Sequence, residues 1–337
     1  MPFQKVNHKV SSKAIMLPAA NVNFTKVDSQ ITHICKSGAL RDLCLSSDEE
    51  VTTAKDYLTS WRESQQDMTW SLSPVLYHEL KKNRRENHKH VLEAAESSDI
   101  SDFLYIDSAE QHHAIVDRHG NILGYRYPIP EQFLKSLPAS TSALPCISTK
   151  AGVRGQYPTR HYAVWKEYTN QPTLSHEYTN DLPASQNWCE ENSALFFHLS
   201  HTLRMINPDT YARYAGTRKY LSPKGLKPLC GIWFGVAINQ GIIGTTKSHI
   251  DWGDYGYNCV IPWGEYHGGE LVLHQLKTVV ELKPGDAFYF MGSLITHNIC
   301  NVNGVRNSID LFCHKTVLTW KDKRDEQRRG KKVGTIP

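Results

Sequence analysis

Seven short apolar runs follow one another between residues 231 and 314, and turn signals such as HGG, KPGD and NG separate them. They are GIWFGVAI (231–238), YNCVIPW (257–263), GELVLH (269–274), TVVEL (278–282), DAFYFM (286–291), ITHNIC (295–300) and RNSIDLFCH (306–314). Runs of this length, rich in β-branched and aromatic residues, predict β-strands. Because many short strands at regular spacing are typical of sandwiches and barrels, we expect one of these architectures here.

Helical patterns precede this β region and indicate how the chain is divided. The segment 187–206 has apolar residues at helical spacing, and 208–221 begins with a proline suited to a first helical turn. A stretch near 130–145 is interrupted by Pro and Ser and marks a boundary. We therefore predict an α+β protein with three parts: an N-terminal α+β accessory region (1–140), a barrel core with flanking helices (141–318) and a basic C-terminal tail (319–337).

The composition narrows the class of protein. Of the 337 residues, 40% are hydrophobic and 21% charged, as in soluble globular chains. No apolar run reaches the roughly 18 residues of a membrane-spanning helix, and the start MPFQKVNHKVSSK lacks the apolar centre of a signal peptide. The eight cysteines are scattered singly, which favours reduced thiols in an intracellular protein over a disulfide framework. The net charge of +4 permits an anionic partner without requiring one.

The last run of the β region has an unusual alternation. Its odd positions are mostly apolar, and its even positions are Arg306, Ser308, Asp310, Phe312 and His314. Successive side chains of a strand point to opposite faces, so one face is apolar and the other is polar. The polar face either meets water or lines a cavity.

Three candidate metal ligands lie upstream of that strand. His249 and Asp251 are two residues apart, so on a strand they project to the same side. Among 17 histidines such a pair is weak by itself and could be a polar strand end. His297, on a later predicted strand, adds a third ligand. Two imidazoles and one carboxylate from separate strands form the facial triad of non-haem Fe(II) oxygenases, which leaves three positions open.

A candidate anion site follows nine residues after His297. A guanidinium inside a barrel, here Arg306, can hold a carboxylate through two hydrogen bonds. Ser308 shares its face and adds a hydroxyl group. The alternative is an internal partner for the guanidinium, for which Asp310 is the candidate.

Taken in order, these features resemble the Fe(II)/2-oxoglutarate-dependent dioxygenases. The matching motifs are HxD at 249–251, GGEL at 268–271, PGD at 284–286, His297, and Arg306-x-Ser308. The resemblance implies a double-stranded β-helix, which is a jelly-roll barrel. It also implies Fe(II) on His249, Asp251 and His297, 2-oxoglutarate on Arg306 and Ser308, O₂ as the oxidant, and ascorbate as an assisting reductant.

A narrower resemblance concerns the TET/JBP family, which oxidises the 5-methyl group of pyrimidines in DNA. It implies that Phe312 stacks on a flipped base, that His314 hydrogen-bonds the base, and that Asp254 faces the exocyclic amine of cytosine. The implied reaction converts 5-methylcytosine to hydroxymethyl and further to formyl or carboxyl products, in the nucleus. From position and charge, we also expect Arg154, Arg160 and His161 at the substrate mouth.

Several alternatives remain at this stage. Phe312 and His314 could belong to the barrel core, and Asp254 could be a turn residue. GGEL and PGD also occur in prolyl-hydroxylase-like enzymes, so the substrate could be thymine or another nucleobase, a protein side chain or a small metabolite. AlkB-type demethylases carry a second arginine after the first, and Asp310 and Phe312 stand in that region here, which disfavours that branch. A third possibility is an inactive barrel that binds DNA or acts as a scaffold.

Overall fold

The computed structural model describes residues 68–84, 88–108, 112–146, 157–166 and 169–333. The part of the predicted accessory region before residue 68 lies outside the described residues, and so does Arg154. Within the described ranges, no helix has both the length and the apolar character needed to cross a membrane.

The described ranges contain thirteen β-strands and nine α-helices. The strands are β1 (Met68–Leu72), β2 (Leu104–Ile106), β3 (His112–Val116), β4 (Ile122–Pro128), β5 (Thr159–Trp165), β6 (Thr173–Leu174), β7 (Gly235–Gly244), β8 (Asn258–Gly268), β9 (Leu271–Leu273), β10 (Thr278–Val280), β11 (Asp286–Phe290), β12 (His297–Ile299) and β13 (Val302–Phe312). The helices are α1 (Tyr77–Asn83), α2 (His88–Ser97), α3 (Glu131–Leu134), α4 (Ser136–Ser142), α5 (His176–Asn180), α6 (Ala184–Glu191), α7 (Ser193–Ile206), α8 (Pro208–Leu221) and α9 (Lys315–Val333).

The strands form two sheets. The larger has the order β1-β3-β4-β11-β8-β13-β7-β5-β6, and the smaller has the order β12-β9-β10-β2. Along the chain, β7 and β8 belong to the larger sheet, β9 and β10 to the smaller, and then β11, β12 and β13 alternate between the two. Residues of both sheets line one cavity between them. This alternation is that of a jelly-roll barrel, so the predicted α+β fold with a double-stranded β-helix is confirmed.

The larger sheet has its apolar face against helices. The hydroxyl of Tyr289 in β11 donates to the carbonyl of Leu199 in α7 at 2.9 Å. Arg306, Ser308 and Asp310 of β13 line the cavity, so by alternation Ile309 and Leu311 point away from it, and both are fully buried. The apolar side of the strand is packed there, whereas Val305 on the same side is 54% exposed.

The N-terminal strands extend both sheets of the barrel. β4 pairs antiparallel with β11, and β2 pairs parallel with β10. At the other end of the chain, most of the predicted tail belongs to α9, whose Asp322 forms an ion pair of 2.6 Å with Arg213 of α8. The division of the chain at residues 140 and 318 stays a prediction.

One predicted helix is divided in the structure. The sequence predicts a single helix over 187–206, and the chain forms α6 and α7 with a break at Asn192. The side chain of Asn192 is fully buried and donates to the carbonyl of Trp188 and to the hydroxyl of Ser140, both at 2.8 Å. Such side-chain bonds compete with the helical backbone and favour a break.

Candidate active site

The three candidate metal ligands lie together at the edge of the smaller sheet. His249 and His297 form an antiparallel bridge in which each backbone N–H donates to the other residue's carbonyl at 2.9 Å. Their ring centroids are 4.3 Å apart. Asp251 Oδ2 lies 3.5 Å from Nε2 of His297, and Asp251 Oδ1 lies 4.0 Å from Nε2 of His249. One potential ligand atom from each residue falls within 4.8 Å of the others, a spacing that fits a single metal ion.

Backbone carbonyls hold both imidazoles in a form suited to a metal. Nδ1 of His249 lies 2.8 Å from the carbonyl oxygen of Lys247, and Nδ1 of His297 lies 2.9 Å from that of Ile295. A carbonyl only accepts, so each Nδ1 carries the hydrogen and each Nε2 keeps its lone pair. Metal-bound histidines are oriented by this kind of outer bond. The tautomers of both rings therefore fit Fe(II) binding through Nε2.

Asp251 is held close to a glycine. Its backbone N–H donates to the carbonyl of Gly292 at 2.9 Å, and a Cβ at position 292 would lie 2.7 Å from its Oδ2 atom. A larger residue there would displace the carboxylate from the two histidines. Gly292 therefore belongs to the machinery of the site, although nothing in the sequence singled it out.

Arg306 contributes a buried cation to a cavity of about 750 Å³ that His249, His297 and Ser308 also line. The residue is 2% exposed, and its Nε and Nη2 atoms have no hydrogen-bond partner among the described residues. Burial lowers the pKa of Arg306, and the neighbouring Tyr266 acts in the opposite direction. A buried cation with unused donors is costly unless an anion completes it. The site therefore fits a carboxylate ligand such as the far end of 2-oxoglutarate.

The surroundings of Arg306 explain two motif residues. Gly269, with φ of 72°, stands where a Cβ would lie 3.2 Å from Cδ of Arg306. The GGEL motif thus leaves room for the guanidinium stem. Ser308 is 3% exposed, and its hydroxyl accepts from Nδ2 of Asn239 at 3.3 Å. The alternative partner Asp310 receives no hydrogen bond from the Nε or Nη2 atoms of Arg306.

The structure brings Asp254 and His314 side by side, close to Asp251. The two residues form an isolated antiparallel bridge, and Asp254 N–H donates to the carbonyl of Asp251 at 2.9 Å. Nδ1 of His314 lies 2.7 Å from the hydroxyl of Thr316. Nε2 of His314 stands over Gly253, where a Cβ would be 2.6 Å away. Two residues that are 60 positions apart in the sequence thus lie together beside Asp251, although neither is among the residues that line the cavity.

Phe312 is the last residue of β13, in the larger sheet. It is 7% exposed and forms a small cluster with Ala163 and Ala237, against which Trp165 packs. A Cβ at Gly235 would be 2.6 Å from its ring, so the small residues of β5 and β7 make room for it. The assignment of Phe312 to base stacking stays a prediction.

Arg160 and His161 are neighbours on β5 with different surroundings. Both line the cavity, but Arg160 is 1% exposed and forms an ion pair of 3.0 Å with Asp181. The His161 ring stands 6.5 Å from that of Phe312, and its backbone N–H donates to Glu177. Their predicted place at the substrate mouth stays a prediction, and the charge of Arg160 already has a partner.

Asn258 is a residue of this site that the sequence reading missed. Its side chain is fully buried, and Nδ2 lies 2.9 Å from Oδ2 of Asp254 and 3.5 Å from Oδ2 of Asp251. One amide thus joins the candidate metal carboxylate to the candidate base-reading carboxylate. The available signal was an amide side chain at the start of an otherwise apolar run, four residues after Asp254.

Comparison with known proteins gave matches among solved structures. No protein-family model and no curated protein matches the chain. The structure of NgTET1 in complex with 5mC DNA is similar with a TM-score of 0.49 and 17% identity, over 73% of this chain and 93% of that chain. An oxidoreductase of the 2OG-Fe(II) oxygenase family from Burkholderia pseudomallei has a TM-score of 0.38 and 17% identity, with coverages of 56% and 82%. A prolyl-4-hydroxylase from Pseudomonas putida has a TM-score of 0.33 and 14% identity, with coverages of 57% and 92%.

The three identities lie between 14% and 17%, and all three TM-scores lie below 0.5. What this chain binds depends on its own cavity and on the side chains beside its candidate metal ligands.

Proposed function

We propose that this protein is an Fe(II)- and 2-oxoglutarate-dependent oxygenase that oxidises the methyl group of 5-methylcytosine in a base flipped out of DNA. The observation that supports the choice of base is the backbone bridge that places Asp254 opposite His314, beside Asp251. The Watson–Crick edge of cytosine presents an amino donor next to acceptor atoms. A carboxylate beside an imidazole offers the complementary acceptor and donor.

The metal and the co-substrate would use the residues that fit them. His249, Asp251 and His297 would hold Fe(II), while Arg306 and Ser308 would hold the far carboxylate of 2-oxoglutarate. When bound, these groups supply oxidation of a C–H bond by O₂, coupled to conversion of 2-oxoglutarate to succinate and CO₂. The protein's own residues fix the imidazole tautomers and provide a buried guanidinium that binds a carboxylate through charge-assisted hydrogen bonds.

The remaining residues would read and clamp the base. An enzyme acting on a base inside a duplex must first take it out of the stack. Phe312 would then provide a stacking surface, a contact that contributes about 1–3 kcal/mol per base. Asp254 would accept a hydrogen bond from the amino group, and His314 would donate to the ring nitrogen or the carbonyl. Arg160 and His161 would stand at the mouth of the cavity.

The same placement permits more than one round of oxidation. A hydroxymethyl product keeps an oxidisable C–H bond at the position of the original methyl group, so later rounds would give formyl and carboxyl products. DNA is the partner under this proposal, and we propose a nuclear location for the protein.

The decisive experiment is mass spectrometry of nucleosides after incubation of the protein with methylated DNA, Fe(II), 2-oxoglutarate and ascorbate. We expect 5-hydroxymethylcytosine that depends on 2-oxoglutarate and is absent with Asp251→Ala. The matched control is His119→Ala, an exposed histidine that is not among the residues lining the cavity, which should keep full activity.

The other outcomes separate the alternatives. Succinate without a modified cytosine would reject the choice of base and direct the search to thymine, another nucleobase, a protein side chain or a small metabolite. The absence of succinate with every substrate would reject the enzyme and leave an inactive barrel that binds DNA or acts as a scaffold.

A further inference from the structure

A tight turn joins the candidate metal site to the candidate base-reading site. It runs from Asp251 to Asp254 and is closed by the N–H of Asp254, which donates to the carbonyl of Asp251 at 2.9 Å. We call these four residues the 251–254 turn. A shift of its backbone would move the metal carboxylate at one end and the second carboxylate at the other.

Two cations from distant parts of the chain hold this turn from outside. Arg84, at the end of α1, donates through Nη2 to the carbonyl of Trp252 at 3.0 Å and reaches that of Asp254 at 3.5 Å. Its guanidinium carbon also lies 5.8 Å from the centre of the Trp252 ring. Lys315, the first residue of α9, donates through Nζ to the same Trp252 carbonyl at 2.5 Å.

We propose that Arg84 and Lys315 are positioning residues that clamp the 251–254 turn through the carbonyl of Trp252, so that Asp251 stays aimed at the two candidate histidine ligands. Under this proposal α1, which belongs to the N-terminal region, helps to position a candidate metal ligand. The extension of the same effect to Asp254 and base choice rests on the proposed function.

The physical basis is the strength and the sharing of these bonds. Hydrogen bonds with a charged donor are roughly twice as strong as neutral ones. A carbonyl oxygen has two lone pairs, so it accepts from both cations at once. Loss of one cation leaves the other in place, and loss of both leaves the turn held by its backbone hydrogen bonds, such as that from the N–H of Asp251 to the carbonyl of Gly292. Because the two residues act on one atom, their substitutions should not be additive.

The test is the affinity of the metal-free protein for Mn(II) and Co(II), measured by calorimetry, with no turnover required. Partners of metal ligands typically contribute roughly 10- to 100-fold in metal affinity, and these cations act one step further out. We expect Arg84→Ala and Lys315→Ala each to weaken binding about 3-fold, and the double variant to weaken it by more than the product of the two. Arg84→Lys should restore part of the loss.

The controls separate clamping from general damage. Lys82→Ala lies on α1 and Lys323→Ala on α9, both exposed, and neither should change the metal affinity. The melting temperature of each metal-free variant is measured alongside, and Arg84→Gln replaces Arg84→Ala if the latter fails to fold. Unchanged metal affinity in the double variant, or losses that simply multiply, would overturn the clamp.

A second arm addresses the part that depends on DNA. If the proposed function holds, Arg84→Ala should also lower the preference for methylcytosine over thymine in a competition assay. Failure of methylcytosine oxidation in the unmodified protein would reject the proposed function, while the metal-affinity result would still decide the clamp.

Discussion

The side-chain amide of Asn258 donates to Oδ2 of Asp254 at 2.9 Å from a fully buried position. The same nitrogen lies 3.5 Å from Oδ2 of Asp251. Both carboxylates are buried, and this amide supplies a hydrogen bond to the carboxylate of Asp254. This contact couples the residue expected to bind the metal to the residue expected to read the base.

Removal of that amide should affect stability and selectivity together. Asn258→Ala removes the hydrogen bond that Nδ2 donates to the buried carboxylate of Asp254, and a hydrogen bond to a charged group contributes about 1.5–3 kcal/mol of unfolding free energy. We expect a lower preference for methylcytosine over thymine in the folded variant, because the Asp254 side chain loses this contact. Denaturant unfolding and product analysis measure the two effects. Asn301→Ala, an exposed amide, is the matched control, and a loss of the same size there would contradict the role of Asn258.

The sequence predicted the parts of this site that depend on local periodicity. All seven β runs between 231 and 314 contain strands, and the alternation of β13 correctly put Arg306, Ser308 and Asp310 on the cavity face, although Val305 on the opposite face is exposed. The order of the ligand motifs also predicted the convergence of His249, Asp251 and His297, which a single bridge between two chain segments brings about.

Contacts between distant segments were beyond the same reasoning. Arg84 and Trp252 are separated by 168 positions, and no periodic pattern connects them. The extension of both sheets by N-terminal strands likewise depends on pairing between edge strands, since the sequence of a strand does not specify which strand pairs with it. Asn192 broke a well-patterned helix because its side chain found partners in a different helix.

Replacement of Arg306 by an apolar residue should stabilise the ligand-free protein and abolish its activity. The guanidinium is buried, and its Nε and Nη2 atoms have no hydrogen-bond partner in the part of the chain that the structure describes, so its desolvation opposes folding until an anion binds. We expect Arg306→Met to raise the unfolding free energy of the ligand-free protein by about 1–3 kcal/mol. Denaturant unfolding without 2-oxoglutarate measures this change.

Binding of 2-oxoglutarate should reverse the order of stability of the natural protein and Arg306→Met. At 100 times its dissociation constant, 2-oxoglutarate should stabilise the Fe(II)-loaded natural protein by about 2.7 kcal/mol and leave Arg306→Met unchanged. Lower stability of the ligand-free variant, or equal stabilisation of both proteins by 2-oxoglutarate, would show that Arg306 is not the anchor of the co-substrate.

Substitution of His314 should separate base oxidation from 2-oxoglutarate consumption. The imidazole lies outside the metal triad, so the metal and co-substrate sites stay intact in His314→Ala. We expect methylcytosine oxidation to fall at least about 10-fold, as for loss of a hydrogen bond worth about 1.4 kcal/mol, while DNA-independent succinate formation changes little. Equal losses of product and succinate in His314→Ala would point to a structural role.

Asp254→Ala, by contrast, should lower the preference of the enzyme for cytosine over thymine.

Two buried histidines of α7 should make the fold sensitive to mild acid. Burial lowers the pKa of His198 to about 3, with a contribution from His201, and burial lowers the pKa of His201 to about 4. In the unfolded chain both titrate near 6.5, so between about pH 6.5 and pH 4 the unfolded state binds more protons than the folded state, and stability falls as the pH falls. Each histidine contributes up to about 1.4 kcal/mol per pH unit in that range.

His198→Phe, which keeps a ring stacked on Phe133, should reduce the slope of unfolding free energy against pH by the share of one histidine. The exposed control His176→Phe should leave that slope unchanged. Urea unfolding at pH 7.5, 6.5, 5.5 and 4.5 (roughly the range set by these pKa values) measures the slope, and an identical slope in both variants would contradict this account.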